Sequence, residues 1–108
     1  MKNKSLYLLC LASAFLACDK TPQACYETFN TQIHIDQTFS VFDACSQNRY
    51  TTVVDWGDKT ADTVTRNRKG ATFSHKYEEA SFYKVTLTVF NKKETQQDSE
   101  IFFVEVFD

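Results

Sequence analysis

Three aspartates, Asp55, Asp58 and Asp62, crowd the short segment around Gly57. Carboxylates gathered this closely are raw material for a calcium site, because that hard cation is held by oxygen ligands. Their spacing does not follow the EF-hand loop. Asp is also a preferred turn residue, since its side chain accepts hydrogen bonds from nearby backbone N–H groups, and that role is the expected one. Cys25, Cys45, His34 and His75 are the residue types of a zinc site, yet none has the short C-x-x-C or H-x-x-x-H spacing that marks one. His75 and Tyr77 offer an acid and a base, but no nucleophile elbow, phosphate-binding glycine loop or carboxylate pair accompanies them. The expectation is a protein that is not an enzyme, with no catalytic residue, no metal site and no cofactor.

The remaining chemistry is at Cys18. Met1–Lys4 is a short basic stretch, and Leu6–Leu16 is an apolar run too short to span a bilayer as a permanent helix. These are the proportions of a secretory signal. The run ends in Phe15-Leu16-Ala17-Cys18, which resembles, loosely, the lipobox of bacterial lipoproteins of the Bacteroidetes type; Phe15 and Leu16 stand where the usual pattern has a leucine and a small residue. The alternative is ordinary cleavage after Ala14, given Ala12-Ser13-Ala14. That cleavage leaves Cys18, Cys25 and Cys45 outside the cytosol, an odd number, whereas lipidation of Cys18 leaves an even pair. Residues 1–17 are thus expected to be a lipoprotein signal peptide and 18–30 the lipidated cysteine with its tether. Residues 31–108 are left as the domain. An exported cysteine pair is expected to form a disulfide, Cys25 with Cys45. The resemblance implies a palmitate-bearing protein held in the bacterial cell envelope, at the outer membrane, through its lipid anchor.

The elements that must position these residues are strands. Of 108 residues, 16 are Phe, Tyr or Trp, while Gly contributes two and Pro one. Aromatic and β-branched residues favour pleated, half-buried surfaces. Period 2 is plain in Tyr83-Lys84-Val85-Thr86-Leu87-Thr88-Val89, where Tyr83, Val85, Leu87 and Val89 share a face. Tyr50, Thr52, Val54 and Trp56 line another strand, and Phe102, Val104 and Val106 alternate with Ile101, Phe103, Glu105 and Phe107. Weaker strands are expected over Thr31–Asp36, Thr38–Asp43, Asp62–Arg66 and Ala71–His75. Turn residues separate them, and six or seven short strands so spaced predict an all-β, antiparallel β-sandwich. The chain has 12 basic and 14 acidic side chains; removing Lys2 and Lys4 with the signal leaves 10 against 14, a net −4. No clustered basic surface is left for nucleic acid, so no nucleic-acid partner is expected.

Three motifs in order carry a family resemblance. Val54-Asp55-Trp56-Gly57-Asp58, then Ser74-His75-Lys76-Tyr77, then Phe82–Asn91 with its Tyr83-x-Val85-x-Leu87-x-Val89 strand, together resemble the PKD (polycystic kidney disease) domain. The resemblance covers about Ile33 to Val106. It implies an immunoglobulin-like sandwich in which Asp55, Trp56, Gly57, Asp58, His75, Tyr77 and Tyr83 are structural. Tyr77 is expected to tie a loop back to backbone, like the tyrosine corner. Lys59 stands where a glycine is usual, and Ala80-Ser81 replaces the usual glycine before the Tyr83 strand. The first departure predicts a longer or differently shaped turn.

The resemblance implies a non-catalytic binding or adhesion module for protein or carbohydrate contacts, its partner unnamed by the sequence. The alternative is a structural or accessory subunit of a cell-envelope complex, pairing through a strand edge. Phe103 and Phe107 on one side of the last strand, with Phe90 at the end of its neighbour, are the candidate contact aromatics. Asp62-Thr63-Val64 matches the acceptor pattern that Bacteroidetes use for O-glycans on exported proteins, which marks Thr63 for glycosylation.

Overall fold

The computed structural model describes residues 21–66 and 71–108. The signal segment 1–17, the lipidation residue Cys18 and the punctuation from Asn67 to Gly70 lie outside the described residues. Among the described residues eight strands follow one another: β1 (Tyr26–Thr28), β2 (Gln32–His34), β3 (Thr38–Asp43), β4 (Thr51–Asp55), β5 (Ala61–Thr65), β6 (Thr72–Lys76), β7 (Ser81–Phe90) and β8 (Gln97–Phe107). They form two sheets, ordered β1-β3-β6 and β2-β8-β7-β4-β5. The molecule is a β-sandwich.

Period 2 explains which faces meet. Val85, Leu87 and Val89 of β7 are buried, as are Val104 and Val106 of β8 and Thr52 and Val54 of β4. Across the gap they meet Tyr26, Phe39, Val41 and Phe73 from the smaller sheet. Trp56, just past β4, closes the core at one end. The β7–β8 hairpin is the longest pairing, running from Ser81↔Val106 to Phe90↔Gln97, and it forms the spine of the larger sheet.

Two details differ from the sequence reading. Residues 18–30 do not all serve as a tether, because the fold begins before residue 31. Tyr26 is only 2 % exposed, and β1 pairs with β3 from Tyr26↔Asp43 to Thr28↔Val41. The Tyr26 N–H donates to Glu100 Oε1 at 2.6 Å and the Ala24 N–H to Asp98 Oδ2 at 2.8 Å. Carboxylates of β8 thus reach inward to hold a strand too short to show periodicity. Secondly, one pairing in the otherwise antiparallel sandwich is parallel, β2 with β8 in the register Ile33↔Val106. The chain passes from the smaller sheet at β1 to the larger at β2, which runs the same way as β8.

Candidate functional site

The residues of the three motifs converge on Trp56. The residue is fully buried, and its indole N–H donates to Asp62 Oδ2 at 2.9 Å. Its carbonyl accepts the Tyr77 hydroxyl at 2.7 Å, and its backbone N–H closes the turn on the Thr60 carbonyl at 3.0 Å. The His75 ring lies flat on the indole, 4.8 Å between centroids and 8° between planes, with Tyr77 edge-on against it. Tyr83 stacks on Tyr77 at 4.1 Å and donates its hydroxyl to the Glu79 carbonyl at 2.7 Å.

Gly57 explains its own identity. Its φ is +85°, and a Cβ there would stand 2.5 Å from the Lys84 carbonyl oxygen. Lys59, at φ 75°, takes the left-handed backbone that a glycine adopts without cost. The Trp56 N–H closes this turn on the Thr60 carbonyl with Lys59 inside it.

The three aspartates face different partners. Asp55 Oδ1 accepts the Gly57 N–H at 2.9 Å, while Asp62 serves the indole. Asp58 accepts from the Thr60 backbone and hydroxyl and stands 2.6 Å from His75 Nε2. Partial burial pushes the Asp58 carboxyl up, but hydrogen bonds from Thr60 and His75 outweigh it and hold the group below 3.8. Burial, with Asp58 nearby, raises the Tyr77 phenol far above its ordinary value, which keeps it neutral and a donor. Among the described residues no group of three His, Cys, Asp or Glu side chains converges on one point. Cys25 and Cys45 are joined in a disulfide, Cα atoms 5.0 Å apart, and His34 sits elsewhere, against the Phe107 ring. An open cleft of about 500 Å³ beside the turn is lined by Asp58, Lys59, His75, Glu79 and Tyr83 among others. Chemically this cluster is a clamp: it fixes the turn between β4 and β5 to β6 and β7.

Phe29, 90 % exposed, lies just past β1 against Phe42; the other strongly exposed apolar side chains gather on the larger sheet. Phe82 is 75 % exposed, Phe103 68 %, Ile101 46 % and Phe107 38 %. Phe82 opposes Glu105 and Phe103 opposes Lys84, so the two phenylalanines are diagonal neighbours on one face. Phe90 is half-buried and distant from them along β7. Phe82 was missed by the sequence reading, although its position opposite in parity to Tyr83 and Val85 signals an outward side chain. Thr63 is exposed on β5, a sheet edge.

No family model matches the sequence, and no curated protein matches it. Solved structures do. A structure of carbohydrate-binding modules of promiscuous specificity from the β-sandwich superfamily superposes with a TM-score of 0.70 at 22 % identity, over 82 % of this chain. The chain spans 35 % of the length of that protein. The PKD domain of an M14-like peptidase from Thermoplasmatales archaeon SCGC AB-540-F20 gives a TM-score of 0.66 at 14 % identity, covering 84 % of this chain and 100 % of that one. The PKD domain of the human VPS10 domain-containing receptor SorCS2 gives 0.63 at 19 %, covering 84 % and 79 %. In its two-sheet order this chain has the immunoglobulin-like β-sandwich fold of PKD domains.

Proposed function

We propose that this protein is a non-catalytic binding module, tethered to the bacterial outer membrane through a lipid on Cys18, that contacts protein or glycan with the outer face of β7 and β8. One observation carries the binding reading: Phe82, Phe103 and Ile101 lie exposed together on the longest strand pair. Contiguous apolar surface of this kind marks an interaction site more often than scattered single residues do. Phenyl rings present flat faces for stacking, and Lys84 and Glu105 beside them supply hydrogen bonds. The similarity to carbohydrate-binding sandwiches favours a glycan as the first ligand to test. The anchor rests on the apolar run that ends at Cys18, and the even cysteine pair left behind supports it. Thr63, exposed on β5, is open to an O-glycan, which would also cover that sheet edge against pairing; intact mass from the native host reads it directly.

The test is a glycan array probed with the parent chain and with a Phe82→Ser/Phe103→Ser variant. The parent binds a subset of glycans, and the variant loses that signal while keeping its thermal midpoint within about 2 °C. Equal binding by both would remove this face from the proposal.

A further inference from the structure

The chain enters the sandwich at one end, where exposed Arg66, Lys92 and Lys93 stand against Glu94 and Asp98, the latter held by the Ala24 N–H. Pro22 is already buried, the Gln23 backbone pairs with Gln47, and the Asn48 side-chain amide donates to the Thr21 carbonyl at 3.1 Å. Tyr50, at the close of the same loop, donates its N–H to the Phe90 carbonyl at 2.7 Å, so the loop between β7 and β8 shares this end. Two cations gather on the Tyr50 ring: Arg66 Nε donates to its hydroxyl at 3.2 Å, and the Lys92 ammonium stands 5.9 Å from its centroid. Lys93 is exposed beside them, with Glu94 next in sequence. Arg49 is engaged by Asp43 at 2.7 Å. At the opposite end the sign reverses, with Asp36, Asp55, Glu78 and Glu79 exposed against Lys59 and Lys76.

We propose that the end bearing Arg66, Lys92 and Lys93 docks on anionic lipid headgroups, which directs the Phe82–Phe103 face and the Gly57 turn away from the membrane. This inference rests on the Cys18 anchor. Only Asp19, Lys20 and Thr21 separate Cys18 from Pro22. Fully extended, those four steps reach about 14 Å, so a lipid on Cys18 brings this end to within little more than a Debye length of the surface. At that range each Lys or Arg is attracted to an anionic leaflet, and the acidic far end is repelled by it. Tether length and charge select the same orientation.

Lysine acylation, read residue by residue by mass spectrometry, tests it on the full chain anchored to vesicles. Vesicles of phosphatidylcholine with about 30 % phosphatidylglycerol are compared with phosphatidylcholine alone. On the anionic vesicles, Lys92 and Lys93 acylate about fivefold more slowly, an effect that vanishes near 0.5 M salt, while Lys59 and Lys76 do not change. Protection of Lys59 and Lys76, uniform protection, or equal protection on phosphatidylcholine alone overturns the proposal. Fatty-acid labelling of Cys18 in the native host is scored separately. If Cys18 carries no lipid there, the anchor reading fails. The footprint of a Cys10→Ser chain coupled through the Cys18 thiol to a maleimide lipid then still decides the docking claim.

Discussion

Tyr77 shows how a single buried hydroxyl can organise a turn. The Trp56 carbonyl has it as a partner at 2.7 Å in a site closed to water. Removing the donor leaves that carbonyl unsatisfied, so Tyr77→Phe should cost about 1–3 kcal/mol in urea unfolding; a loss below about 0.5 kcal/mol would mean that the hydroxyl is dispensable. Lys59 tests the opposite sign. A non-glycine residue at φ 75° is strained, so Lys59→Gly should stabilise by about 0.5–1 kcal/mol, with the freer unfolded chain offsetting part of the gain. Asp58 supplies a pH dependence. Its folded carboxyl ionises below the ordinary 3.8, so its contribution is present above that value and fades as pH falls through the folded one. The stability gap between parent and Asp58→Asn should therefore be wider at pH 5 than at pH 3, as chemical denaturation at the two pH values would read. These residues were legible as structural because their types and order resemble a known motif. Their partners were not: that Asp62 serves the indole and Thr60 joins Asp58 depends on how the turn folds back, which spacing does not encode.

At the scale of elements, strands with strong alternation were legible and those held by side chains were not. β3 has the bounds expected from its pattern, Thr38–Asp43, and β7 carries the expected inward set of Tyr83, Val85, Leu87 and Val89. β1 escaped because its three residues have no period to display; Asp98, Glu100 and a disulfide keep it in place instead. The bridge closes a loop with a sequence separation of 20, for which chain entropy suggests about 3 kcal/mol. A Cys25→Ser/Cys45→Ser chain should lose about that much in denaturant unfolding. Hydrogen exchange should then accelerate first at residues 23–28, the segment that the bridge ties directly to Cys45. Unchanged exchange there would show that the two carboxylates and the Tyr26 side chain suffice.

At the scale of the whole molecule, the two ends and two faces have different work. The clamp around Trp56 is occupied with the fold, the N-terminal end carries Arg66, Lys92 and Lys93, and the outer face of β7 and β8 displays Phe82 and Phe103. Which of those aromatics face outward could be read from parity, as for Phe103 and Phe107. That Phe82 joins Phe103 could not, since it depends on the β7–β8 register. The most direct test of the binding claim is site-specific photo-crosslinking in the native host. Benzoylphenylalanine replaces Phe103 in one chain and Ser74, on the outer face of the smaller sheet, in another. The account predicts a discrete adduct, to protein or glycan, from position 103 and none from position 74. No adduct from 103, or equal adducts from both positions, would contradict it.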